Sequence, residues 1–165
     1  MDRFFIFALR SAAVLAILVG FFGQFVVIPG AAAEAVAFFP PYAPFATPYI
    51  TLAILGVACV QVALAGVWML LAVFRRDAVF TPMAFLWVDV IIGATLVATL
   101  LTAGVTVHLV VGEIPTPDDD MGLIGTAGAA IVLTGSGAAV AMLLVLMRGL
   151  LRKAMDLQTE MAEVV

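Results

Sequence analysis

Four apolar runs, at residues 4–28, 49–74, 83–111 and 123–147, leave this chain very few ways to fold. Each is long enough to cross a hydrocarbon layer about 30 Å thick, which takes roughly 20 residues of helix. Within such a layer a lone segment satisfies its backbone hydrogen bonds only as a helix. The pattern therefore predicts an all-α polytopic membrane protein, with residues 1–147 as an antiparallel four-helix transmembrane bundle. Residues 148–165 are expected to form a cytoplasmic amphipathic helical extension. The composition agrees: 11% of residues are charged, against about 25% in soluble domains. Little chain is left for a catalytic domain outside the bilayer.

Charge orients the runs. The seven basic residues are Arg3, Arg10, Arg75, Arg76, Arg148, Arg152 and Lys153, and all fall on one side of the pattern. The loops on the other side hold Glu34, Glu113, Asp118, Asp119 and Asp120, with no Lys or Arg. Basic loops stay in the cytoplasm, which predicts a bacterial cytoplasmic (inner) membrane protein with both termini inside. The net charge of −4 arises from the outer loops and the tail. No basic face for nucleic acid is expected. Cys59, the single cysteine, lies within an apolar run and is expected to pack rather than react. A cleaved signal peptide is the rival reading of the N-terminus, with Gly30–Ala33 as the small-residue site. The apolar stretch 11–28 exceeds the 7–15 residues usual for such a signal, favouring a retained anchor.

The loops differ in kind. Prolines at 40, 41, 44 and 48 predict an irregular outer loop, since each removes a backbone donor and restricts the residue before it. Phe38, Phe39, Tyr42, Phe45 and Tyr49 sit among them as expected interfacial anchors. On the inner side, RRDAVFTP is short enough to make spans two and three a hairpin, with Thr81-Pro82 as a helix start.

Polar groups within the spans need partners. Asp89 lies in LWVDVIIG and Arg10 enters the membrane from the same side, so both are expected at roughly 10 Å depth. A carboxylate facing lipid is costly, and an Arg10–Asp89 interhelical pair is the expected solution. Gln24 and Gln61 are expected to hydrogen-bond across helices. Thr95, Thr99, Thr102, Thr106, Thr134 and Ser136 can bond their own helix backbone. His108, Glu113, Asp118, Asp119 and Asp120 gather at the outer end of span three as weak metal candidates. They lack a recognised ligand spacing, so no metal and no cofactor is expected. No phosphate loop, nucleophile elbow or paired-His motif occurs, and the chain is expected not to be an enzyme.

Span four carries small residues four apart, among them Gly125/Ala129, Thr134/Ala138, Gly135/Ala139 and Gly137/Ala141. Such pairs let helices approach closely, within the bundle or between two copies. Beyond it, Leu150, Ala154, Leu157, Met161 and Val164 make a heptad stripe suited to a protein partner, self-association or the bilayer surface.

The segment VFRRDAVFTPMAFLWVDVIIGA resembles the region between spans two and three in a bacterial membrane family, domain of unknown function 2975. The tail MRGLLRKAMDLQTEMAEVV resembles that family's ending. The resemblance implies a four-pass fold without an established activity. Its genes often sit beside a small helix-turn-helix regulator, implying a regulatory or stress-related role. Where relatives are more basic after the Thr-Pro element, this chain has Met83-Ala84-Phe85-Leu86. The expected function is that of a non-enzymatic accessory or regulatory membrane component acting through protein contacts. The alternative is a small transporter or channel subunit using Asp89.

Overall fold

A computed structural model describes residues 3–74, 82–112, 114–115 and 121–163. Helix α1 (Arg3–Phe22) runs through a π-helical turn at Gly23–Val27 into α2 (Ile28–Phe38), forming one rod. A 3-10 turn at Pro40–Tyr42 leads to α3 (Ala43–Phe74), followed by α4 (Pro82–Val111) and α5 (Met121–Glu163). No strand occurs among the described residues. Four stretches are long and apolar enough to cross a membrane: Ile6–Phe38, Pro40–Val73, Met83–Val111 and Ile124–Leu157. The all-α, four-helix architecture read from the sequence is the one found.

The outer loop expected between the first two spans is almost entirely helical, so the helices run beyond the expected ends of those spans. Pro29 does not stop the first helix. A proline cannot donate to the carbonyl four residues back and its ring crowds that carbonyl. The chain absorbs the mismatch by widening one turn, so that the Ile28 N–H donates to the Gly23 carbonyl, five residues back. Reversal is confined to Phe39, which is extended at φ −137° and ψ 92°. Pro40 accounts for that, because it bars its predecessor from helical geometry. The Phe39 and Tyr42 rings then meet edge to face at 4.9 Å. Pro44 falls in the first turn of α3, where N–H groups have no helical acceptor, and Pro48 lies just inside the helix. Span four, expected over 123–147, likewise continues without a break into the tail.

The helices pack in chain order. Among the described residues α1 and α2 approach α3, α3 approaches α4, and α4 approaches α5; α1 and α5 each have one long neighbour. Covered apolar residues are mostly small: Ala13, Ala84, Ile92, Leu109, Ala130 and Ala141. No large side chain among the described residues is fully buried. Cohesion therefore comes from close backbone approach rather than a bulky core.

Each seam has a glycine where approach is closest. A Cβ on Gly20 would come 2.8 Å from Gln61 Nε2, at the α1/α3 seam. One on Gly66 would lie 2.7 Å from Ile91 Cγ1, between α3 and α4. One on Gly137 would lie 2.6 Å from Thr99 Oγ1, between α4 and α5. Thus the Gly137/Ala141 pair faces α4, with Ala141 only 3% exposed. Gly125, Ala129, Gly135, Ala138 and Ala139 are left uncovered by protein.

Gly66→Ala and Gly137→Ala are expected to destabilise the fold by roughly 1–3 kcal/mol through overpacking. Gly93→Ala, whose Cβ would meet open space, should instead gain about 0.5–1 kcal/mol of helix propensity. Denaturant unfolding in mixed micelles, monitored by circular dichroism, checks both signs.

Candidate functional site

Side-chain contacts fix the register of each seam. Between α1 and α3, Gln24 Nε2 donates to the Ile54 carbonyl at 3.1 Å and Gln61 Nε2 donates to the Ile17 carbonyl at 3.2 Å. The Arg10 guanidinium lies 4.4 Å from the Trp68 ring centroid at the same seam. Between α3 and α4, the Tyr49 hydroxyl shares a 2.8 Å hydrogen bond with His108 Nδ1, and Gly66 abuts Ile91. Between α4 and α5, Thr106 and Thr134 hydroxyls are 3.2 Å apart, and Gly137 abuts Thr99.

Followed from helix to helix, these registers bring Arg10, Trp68, Asp89 and Arg148 to one level. Asp89 there is ion-paired with Arg148: the Arg148 Nη2 donates to Asp89 Oδ2 at 2.9 Å, and Nε faces Oδ1. A two-pronged guanidinium–carboxylate contact fixes orientation as well as charge. Among the described residues the layer thus holds two guanidinium groups and one carboxylate.

The expected Arg10–Asp89 pair is therefore corrected. Arg10 and Asp89 do share a depth, but α1 packs on α3 and not on α4. Trp68 takes the Arg10 charge on its ring face, an interaction open to any cation over an indole. Asp89 points to the other neighbour of α4. Depth alone could have named Arg148, since α5 leaves the membrane at the end where α4 enters.

That depth is shallow. Helix α4 has 30 residues, so it is about 45 Å long, against a hydrocarbon core of about 30 Å. Centred, it overhangs by roughly 7 Å at each end. Asp89 sits seven residues, or about 10 Å, past the helix start at Pro82. A helix so centred puts the charged layer about 3 Å inside the hydrocarbon edge, within snorkelling reach of the headgroups.

Several other polar side chains have partners within the protein. Gln24 is 6% exposed and, with Gln61, forms the amide-to-carbonyl bonds given above. Thr95, Thr99, Thr102 and Thr106 each donate to a carbonyl of α4 itself, at 2.8–2.9 Å. His108 is held by Tyr49, with the Phe45 and Tyr49 rings against it, a clasp the sequence reading missed. Glu113, Asp118, Asp119 and Asp120 lie outside the described residues. No three His, Cys, Asp or Glu side chains that could hold a metal meet among those described. Cys59 is a half-buried free thiol.

Residues 30–165 match the family described as protein of unknown function, DUF2975. The chain belongs to that family. No curated protein and no solved structure matches it. The matched DUF2975 segment contains Trp68, Asp89 and Arg148 but begins after Arg10.

Exchanging Asp89 and Arg148 (Asp89→Arg with Arg148→Asp) should restore much of the stability lost in either single variant. Exchanging Arg10 and Asp89 should not. Melting temperatures of the purified variants in detergent decide this; equal rescue by both swaps would contradict the observed pairing.

Proposed function

We propose that the protein is a non-enzymatic accessory or regulatory component of the bacterial cytoplasmic membrane, acting through protein contacts at the end where both termini lie. The observation that carries this reading is the overrun of α5. Along the Asp89–Arg148 register, Pro82 falls level with Met155, so α5 continues beyond its neighbour for eight residues, about 12 Å. Approaching that overrun, Leu144, Arg148, Leu151 and Met155 are half-buried. Leu150 and Leu157 face away at 68% and 60% exposure, with Arg152 and Lys153 uncovered beside them. Leu157 lies on the overrun itself, and Leu150, Arg152 and Lys153 on the turns just before it. Exposed apolar and charged side chains leading onto a projecting helix end suit docking of a partner helix or a second copy. The basic residues at this end support its cytoplasmic orientation.

Helix α5 therefore has two roles. Its membrane part is seated on α4 by Gly137, Thr134 and Arg148, which gives the projecting end a rigid base. The transporter reading draws less support: the Asp89 carboxylate is already engaged by Arg148, and the α4 threonine hydroxyls are engaged by their own backbone. An ion would have to compete with Arg148 for the carboxylate, and the hydroxyls need no ion to account for their orientation.

Deleting residues 156–165 should leave insertion and melting temperature nearly unchanged while abolishing co-purification of a stoichiometric partner from native membranes. Undiminished recovery of that partner would refute the docking role. Reporter fusions at residue 79 and after Val165 should be active only with a cytoplasmic reporter, and a fusion at residue 117 only with an exported one.

A further inference from the structure

Arg10 carries a charge that the fold itself does not neutralise. Its Nε is covered by protein and meets no acceptor. Among the described residues no carboxylate reaches the guanidinium; Asp89 is committed to Arg148, on a helix that α1 does not touch. The Trp68 ring lies under the guanidinium at 4.4 Å. With Nε covered and one face stacked, the two terminal Nη groups remain to grip an oxyanion in two-pronged fashion. The level of Arg10 is that of Asp89, just inside the headgroup boundary, where the accessible oxyanions of a bilayer are lipid phosphates. The layer as a whole has one guanidinium in excess, which favours a lipid of net negative charge over a zwitterionic one.

We propose that Arg10, braced by Trp68 at the α1/α3 seam, binds the phosphodiester of an anionic phospholipid in the leaflet nearest the termini. The site is distinct from the α5 overrun, two helices away along the packing order, and does not depend on any partner docking there. Trp68 fixes the plane of the fork, while the Gln61–Ile17 bond holds α1 and α3 in the register that stacks the two. Arg152 and Lys153, uncovered on α5, would attract the same lipids without stacking on a ring, and serve as the control.

The test is native mass spectrometry of the full-length protein released from phosphatidylglycerol/phosphatidylcholine nanodiscs. Wild type and Arg152→Gln/Lys153→Gln should retain phosphatidylglycerol, and Arg10→Gln should bind it roughly tenfold more weakly. Equal retention by Arg10→Gln would overturn the proposal. If that variant does not fold, Arg10→Lys decides. A point charge without the fork should lose at least about half of the bound lipid, and full retention again overturns the site. A second readout is Trp68 emission in a Trp87→Phe background. It should shift on moving from pure phosphatidylcholine vesicles to vesicles containing phosphatidylglycerol, and this shift should vanish in Arg10→Gln. A shift produced by inorganic phosphate in pure phosphatidylcholine would instead assign the site to a soluble ion and refute the lipid.

Discussion

The seams of this fold depend on side chains of one helix seated directly against the next at Gly20, Gly66 and Gly137. In lipid, burying a leucine against another helix gains little over leaving it against acyl chains, so the hydrophobic effect does not hold helices together. What remains is dispersion between well-fitted surfaces and the polar bonds that such fit permits. At Gly20 the missing Cβ makes room for Gln61, whose amide then reaches the Ile17 carbonyl. At Gly66 it lets Ile91 nest into α3, and at Gly137 it seats Thr99. The small covered residues, from Ala13 to Ala141, extend the same mode of contact along the seams.

Close seams set register, and register sets the chemistry. The Arg10–Trp68–Asp89–Arg148 level follows from three seams, each pinned by contacts elsewhere along its length. A charged side chain near the bilayer centre costs about 2.5–3.5 kcal/mol by insertion measurements, and the penalty falls toward the interface. The layer lies near that interface, so its charges need only a modest pairing to persist. The layer is also open at its two ends, since among the described residues α1 and α5 make no contact. Side chains at such depth can reach headgroups and water there by snorkelling.

Sequence made the four-helix layout plain because length and apolar content are properties of each segment alone. The asymmetry of Lys and Arg is of the same kind. What depended on neighbours was harder to read. The four prolines near residue 40 suggested an irregular loop, yet three of them fall in first turns, where proline costs nothing, and Pro29 is absorbed by a π turn. Similarly, Arg10 and Asp89 were assigned a common depth, which holds, and a common seam, which does not. Depth follows from counting residues, whereas adjacency depends on which helix faces which. His108 shows the same limit: its acidic neighbours in sequence drew attention, and its partner, Tyr49, lies 59 residues away.

The charge asymmetry and the charged layer have one physical origin. An arginine that stays on the side from which the helices enter can sit a few turns inside the bilayer and still place its head near phosphate. Asp89 has no such recourse, because a carboxylate has a short stem and is repelled by the same headgroups. It is tolerable at that level only where an arginine of the neighbouring helix already waits, and α5 supplies Arg148 because its own basic segment is retained at that end. The pairing thus ties topology to packing: reversing the chain in the membrane would carry Arg10, Asp89 and Arg148 to the opposite leaflet along with every other basic residue.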